Sequence, residues 1–356
     1  MESAIVYGSM IASSIFFAIR AKISNCRVYL LCIVLVLTFV CGCRAYSVGN
    51  DTQGYFDIYE SILKNGVNPY SEMEPGYEYL CRGILLILPH PQAVFILVAL
   101  ITYSLITWRF WELRDIAEFD WAIACFTISF HFFIQSGMRQ SLALAVVFWT
   151  MRYLEKKKIL SYLIGVTIAY TIHRSAMVAF VNIFCLLPLW KKLSVKKQLS
   201  LLLCILAIPI GLLIAMRYYA WGRYIDLFEA NFEIGLRVFA EIGFALLSII
   251  AFGYTDTAKS SMPIPAVSTR YRTGMIRLYY VLGLLIGTLG YISSTLGRMQ
   301  MYWYWYQPVL MGMLARSKCN RAILRSLIIL FMIYLCISSI TGNGYSQVPY
   351  LFFWQV

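Results

Sequence analysis

The stretch VYLLCIVLVLTFVCGC, residues 28–43, decides the fold class. It carries no charged side chain. A membrane β-strand would alternate apolar and polar residues over about ten positions. This run is solidly apolar instead, as is most of 199–208. In lipid every backbone N–H and C=O needs a partner within the protein, so a solid run of this kind must be a helix. Working outward, comparable runs recur from one end of the chain to the other, and the whole reads as one helix bundle in a bilayer.

Composition agrees. Of 356 residues, 60% are hydrophobic and only 13% charged. Soluble domains carry about 25% charged residues. Mean hydropathy is +0.71. The net charge of +13 would suit a nucleic-acid binder, but the basic residues form short clusters between apolar spans. That is the positive-inside pattern, so no nucleic-acid partner is expected. Cys32, Cys125, Cys185, Cys204 and Cys336 lie in apolar runs and read as small hydrophobes. Cys26 and Cys319 fall in basic loops. Cys41 or Cys43 could reach Cys81 outside, a disulfide this reading does not adopt. No C-x-x-C pair and no histidine cluster calls for a metal or other cofactor. Met1 and Glu2 lead straight into an apolar run with no basic segment before it, so no cleavable signal is expected.

Hydropathy predicts helices at about 3–19, 28–43, 92–107, 119–135, 138–154, 159–173, 175–190, 199–216, 236–253, 277–292, 299–315 and 322–340. Alternating the loops sorts the charge. One set holds Arg20, Lys22, Arg27, Arg109, Arg114, Lys156–Lys158, Lys191, Lys192, Lys196, Lys197, Lys259, Arg270, Arg272, Arg316, Lys318 and Arg321. The other holds 44–91, the Ser136–Gly137 and His173–Arg174 turns, 217–235, 293–298 and the C-terminal tail. All lysine clusters fall in the first set, which is therefore cytoplasmic. The segment 79–90 tests the scheme. It is too short to cross and stops at Pro89-His90-Pro91. Counting it as a span would put Lys156–Lys158 outside. It reads as an interfacial or re-entrant outer helix. The expected architecture is a single integral membrane domain over 1–356, all-α and polytopic. It has about twelve spans, both termini outside, an outer loop at 44–91 and a smaller one at 217–235.

The outer loop places Asp51, Asp57, Glu60, Glu72, Glu74 and Glu78 beside Tyr46, Tyr55, Phe56, Tyr59, Tyr70 and Tyr77. Aromatic faces with carboxylates suit carbohydrate, which stacks a C–H face and offers hydroxyls at its edge. An interfacial aromatic belt fits the same composition.

Ionisable residues at helix depth cost about 2.5–3.5 kcal/mol and mark candidate sites. On the outward side these are Arg139, His173, Arg174, Arg298 and Arg44. Several arginines facing into a bundle imply an anionic guest, because guanidinium is a planar fork matched to phosphate oxygens. All but Arg174 have a plainer alternative: headgroup snorkelling for Arg44 and Arg298, an internal ion pair for Arg139, packing for His173.

In their order these segments resemble the EpsG/Wzy group of bacterial polysaccharide polymerases. The carrying residues are Arg44 through Val48-Gly49-Asn50-Asp51-Thr52 to Tyr55, Glu74-Pro75-Gly76-Tyr77, Met138-Arg139-Gln140-Ser141-Leu142-Ala143 and Glu155-Lys156-Lys157-Lys158. Ala169 to His173-Arg174-Ser175-Ala176 and Val348-Pro349-Tyr350 complete the set. The match is ordered over 40–180 and looser in the last third, through Arg298 and the terminal Pro-Tyr. Gly-Asn-Asp-Thr stands here where the family often has Gly-Thr-Asp-Thr, and Arg174 where it often has a small residue.

The resemblance implies a GT-C-like glycosyltransferase of the bacterial inner membrane. It would act at the periplasmic face on oligosaccharides linked to undecaprenyl diphosphate, as donor and acceptor, in building O-antigen or a similar surface polysaccharide. A flippase and a chain-length regulator would be its pathway partners. Arg139, Arg298 and Arg44 would stabilise the departing diphosphate. His173, Asp51 or Glu74 would take the acceptor proton. Gln140, Arg174, Tyr55 and Tyr77 would hold sugar or phosphate. A lipid-linked glycan ligase would share these residues. A flippase or transporter of lipid-linked sugars is expected to move labelled lipid across vesicles without lengthening it, and a structural partner without chemistry to tolerate loss of Arg139.

Overall fold

The computed structural model describes residues 2–70, 73–186, 236–255, 265–289, 294–317 and 320–356. The described chain is helical, with no β-strand among its residues. Its first part runs α1 (Glu2–Ser24), α2 (Val28–Gly42), α3 (Thr52–Asn65), α4 (Pro75–Ile87), α5 (Pro91–Glu112), α6 (Phe119–Ser136), α7 (Met138–Glu155) and α8 (Ile159–Ile172). A 3-10 helix, Arg174–Leu186, follows. Then come α9 (Leu236–Thr255), α10 (Pro265–Leu289), α11 (Ser294–Met299), α12 (Met301–Tyr304), α13 (Gln307–Arg316) and α14 (Arg321–Gly342).

Three of these, α1, α5 and α14, are long and apolar enough to cross a membrane. Helices α2 and α8 are apolar but shorter. Large apolar side chains stand exposed along α1 (Ile5, Phe16, Ile19), α2 (Leu31, Leu35, Phe39), α8 (Ile164, Ile168) and α14 (Ile323, Leu330, Ile333, Ile337). In water such surfaces would be a liability; against lipid tails they are at home. The chain is a membrane protein.

Several expectations change. The helix expected at 299–315 is broken into α12 and α13, and only its first residue, Met299, belongs to α11. Pro308 sits in the first turn of α13. Proline fits there because the N–H it lacks would have no acceptor, whereas inside a continuous helix it breaks the ladder. The described part of the helix expected at 175–190 is a 3-10 helix, Arg174–Leu186. Its buried residues Ala176, Ala179 and Asn182 repeat every third position, the period of that helix. The span expected at 277–292 begins earlier, at Pro265, and carries Arg270 and Arg272 within it. The outer loop is itself helical. In α3 the buried Thr52, Tyr55, Ile58, Tyr59 and Ile62 form one apolar stripe, hidden in the sequence by the charges between them. The expected helix 199–216 and loop 217–235 lie outside the described residues.

Helix α4 covers most of the segment 79–90. Its N-terminus lies beside α7, through Glu74 and Arg139. The chain leaving it enters α5, where Gln92 donates to the Arg44 carbonyl at 3.0 Å. Both ends of α4 are thus at the same end of the bundle, so it does not traverse it.

The loops gather into two groups. At one end Lys22 pairs with Glu118 and with Asp120. Arg272 pairs with Asp115 at 2.5 Å, Arg109 with Glu155, and Arg316 donates to the Arg114 carbonyl at 2.8 Å. At the other end Asn50 N–H donates to Ser136 at 2.9 Å and Gly49 N–H to the Ser346 carbonyl at 3.0 Å. Helix α6 spans the two, with Asp120 in its first turn and Ser136 at its last residue. Among the described residues this grouping follows the two sets that the charge pattern separates.

Candidate functional site

Glu74 is the hub. It immediately precedes α4, with Pro75 in the helix's first turn, and only 5% of it is exposed. One carboxylate oxygen accepts from the Arg139 guanidinium at 2.7 Å and the other from the Arg174 backbone N–H at 2.9 Å. Gly76 makes this approach feasible. A Cβ there would lie 2.7 Å from the Thr171 carbonyl oxygen near the end of α8, so a side chain would push α4 away from His173.

Arg139 begins α7. The internal ion pair admitted as its plainer reading is formed, but it uses only part of the guanidinium. The Arg139 Nε is sealed from solvent with no acceptor among the described residues. Arg139 also lies beside the Tyr55 hydroxyl, and the Asp51 carboxylate reaches the same tyrosine electrostatically.

His173 occupies the turn between α8 and the 3-10 helix. Its Nδ1 is 2.7 Å from Ser175 Oγ and 3.3 Å from Ser175 N. Ser175 Oγ is in turn 3.1 Å from the buried Tyr302 hydroxyl. Burial lowers the imidazole pKa below its ordinary value; Glu74 opposes this, while Arg139 and Arg298 add to it. His173 is therefore neutral near neutral pH. Gln140 donates to the Arg298 backbone carbonyl at 2.9 Å, tying α7 to α11. The Arg298 side chain is exposed and makes no ion pair with another described residue.

The structure thus brings Glu74, Arg139, Gln140, His173, Arg174 and Arg298 together, with Tyr55 and Asp51 at the margin. Arg44 is elsewhere. It is 1% exposed, and its guanidinium donates to the carbonyls of Cys41, Val48 and Gln135 and to Thr52 Oγ1. It braces the turn from which Asp51 projects and does not snorkel. Gly49, at φ +100°, belongs to the same turn, and a Cβ there would lie 3.2 Å from the Gln135 carbonyl oxygen. Tyr77 is fully buried, its hydroxyl 2.6 Å from that of Tyr59. It packs the outer helices against one another. Cys41, Cys43 and Cys81 are free thiols.

Ser175 and Tyr302 were not singled out by sequence reasoning. A serine two residues after the histidine was the available signal for the first. Tyr302 was masked by its aromatic run. Among the described residues no group of three or more His, Cys, Asp or Glu side chains could hold a metal ion.

The family model for EpsG matches residues 27–352, nearly the whole chain. No curated protein and no solved structure matches. Residues of each carrying segment, from Arg44 to Tyr350, fall within that match, and the chain belongs to the EpsG family, whose members are Wzy-type polysaccharide polymerases.

Proposed function

We propose that this chain polymerises oligosaccharide repeat units carried on undecaprenyl diphosphate, at the periplasmic face of a bacterial inner membrane. It does so as a single membrane domain with both termini outside. Tyr350 N–H donates to Ser3 Oγ at 2.8 Å, which agrees with termini on one side.

The acceptor hydroxyl of a new repeat unit attacks the anomeric carbon of the growing glycan. The bond from that carbon to the diphosphate oxygen breaks, and the diphosphate leaves with the electron pair. Arg139 and Arg298 meet the charge that develops there. The N-terminus of α7, which has no side-chain cap, adds partial positive charge at the same place. Glu74 is committed to Arg139 and Arg174 N, so it orients the arginine. Asp51, exposed and without an ion pair among the described residues, takes the acceptor proton. Tyr55 and Gln140 position sugar and backbone around it.

The observation carrying this reading is the partly used Arg139 guanidinium: Glu74 fixes one terminal nitrogen at 2.7 Å while a quarter of the side chain stays exposed. An anion can accept from that exposed edge. The test is Arg139→Ala at normal expression, assayed for polymer ladders in cells. Full-length polymer from this variant sinks the proposal. Chain growth on purified lipid-linked repeat with no other acceptor separates a polymerase from a ligase.

A further inference from the structure

His173 looks like a general base by residue type, but its surroundings fix its proton elsewhere. A backbone N–H can only donate. Ser175 N–H points at His173 Nδ1 from 3.3 Å, so Nδ1 presents its lone pair. Ser175 Oγ, 2.7 Å from the same nitrogen, then donates to it as well. That leaves Ser175 Oγ to accept from the Tyr302 hydroxyl at 3.1 Å. The chain has one direction: Tyr302 O–H to Ser175 Oγ, Ser175 O–H to His173 Nδ1. A neutral imidazole whose Nδ1 only accepts carries its proton on Nε2. His173 Nε2 has no hydrogen-bond partner among the described residues.

We propose that Ser175 and Tyr302 are positioning residues that lock His173 as an Nε2–H donor, and that this N–H is given to a diphosphate oxygen beside Arg139. The inference rests on the lipid-diphosphate reading above and adds one role to it, leaving the acceptor proton with Asp51. His173 holds the leaving group and does not remove the acceptor proton. The charges facing the imidazole are Glu74, Arg139 and Arg298. Two guanidiniums disfavour a further positive charge on the ring, yet a neutral N–H can join them around an anion. A neutral donor also costs less to bury than an imidazolium would.

Tyr302 is 3% exposed, so its hydroxyl loses water on burial and needs a partner. Ser175 supplies one. The relay therefore satisfies a buried tyrosine and orders a histidine at once, and the order runs from the core toward the site.

The tautomer can be read without turnover. The full-length chain, reconstituted in phospholipid vesicles with ring-15N histidine, has three histidines to resolve. The His173 signals are those lost in His173→Gln. The expected result is an unprotonated Nδ1 and a protonated Nε2, with Ser175→Ala spreading the population over both tautomers and Ser175→Thr keeping the wild-type pattern. Adding undecaprenyl diphosphate should shift the Nε2–H resonance. Ser175→Ala and Tyr302→Phe should each lower kcat about tenfold with KM little changed, the effect of losing about 1.4 kcal/mol of transition-state stabilisation. Protonated Nδ1 in the wild type overturns the proposal, as do unchanged tautomers and turnover in both variants. Lipid that binds while the Nε2–H resonance stays still overturns the donor role alone. Lipid that does not bind at all sinks the lipid-diphosphate reading and the donor role with it, so the binding measurement tells the two failures apart.

Discussion

Glu74 holds Arg139 at 2.7 Å while its second oxygen takes the Arg174 N–H at 2.9 Å, so one buried carboxylate sets the distance between the start of α7 and the end of α8. Breaking a fully buried pair by removing one partner costs about 3–5 kcal/mol, since the other charge is left uncompensated. A quarter of the Arg139 side chain is exposed, so the expected loss for Glu74→Ala is about 2 kcal/mol after that discount. Arg139→Ala should cost a similar amount. The double variant should recover part of the stability, because neither charge is stranded, but no polymer. Heat unfolding in detergent and ladder assays on all four chains check this. A double variant less stable than the sum of the singles would contradict the pairing.

Arg44 separates bracing from chemistry. Its guanidinium serves three carbonyls and a hydroxyl inside the protein. An ammonium cannot reproduce that fork. Arg44→Lys should therefore lower the amount of folded protein and its unfolding temperature, with a cost of about 2–4 kcal/mol from unsatisfied buried carbonyls. Turnover per folded molecule should fall less than in Arg139→Lys. The measurement is kcat normalised to folded chain. Normal stability with lost turnover would return Arg44 to the phosphate.

Gly76 is where two backbones meet. Adding one methyl places it 2.7 Å from the Thr171 carbonyl oxygen, and backbone cannot rotate aside as a side chain would. Gly76→Ala should cost about 1–3 kcal/mol in overpacking and reduce polymer more than stability alone accounts for, since Glu74 and His173 are pushed apart. A variant with wild-type ladder length and unfolding temperature would show that the approach is not needed.

The helical membrane character was legible because solid apolar runs admit no other backbone solution in lipid. The two-sided grouping of loops was legible from lysine placement, and α6 with its two differently partnered ends displays the same division. Arg139 and His173 stand out in the sequence because charge at helix depth is costly, and Glu74 through the carboxylate-rich outer loop; the structure places the three beside one another. What was not legible depends on contacts distant in sequence. Arg44 reads as a free cation until the Gln135 carbonyl, 91 residues away, is brought to it. Tyr77 reads as a sugar platform until Tyr59 turns out to be its hydroxyl partner. Helix α3 was hidden because charged residues such as Asp57 and Glu60 stand between the positions of its buried stripe. Ser175 gains its meaning only when Tyr302, 127 residues on, closes over it.

Asp51 carries the proposed proton transfer. Asp51→Asn keeps size and hydrogen-bonding capacity but cannot take a proton. Loss of a general base lowers rate about 10²–10⁴-fold. The expected result is normal folding, normal binding of undecaprenyl diphosphate and a kcat lower by about that factor. A kcat within about threefold of wild type, well short of that factor, would move the base elsewhere.

His173 also gives a stability signature. Burial holds its folded-state pKa below the ordinary value of about 6.5. A histidine depressed in this way binds more protons when the chain unfolds, so its contribution to stability is complete above about 6.5 and shrinks as pH falls toward the folded value. The wild type should therefore lose unfolding temperature between pH 7.5 and 5.5 by more than His173→Gln does, where that proton uptake is gone. Other titrating groups are common to both chains and cancel in the comparison. Equal losses in the two would mean that His173 is not held neutral by its neighbours. The donor role would then lose its support, because an imidazolium that forms freely beside Arg139 and Arg298 is incompatible with the ordering by Ser175.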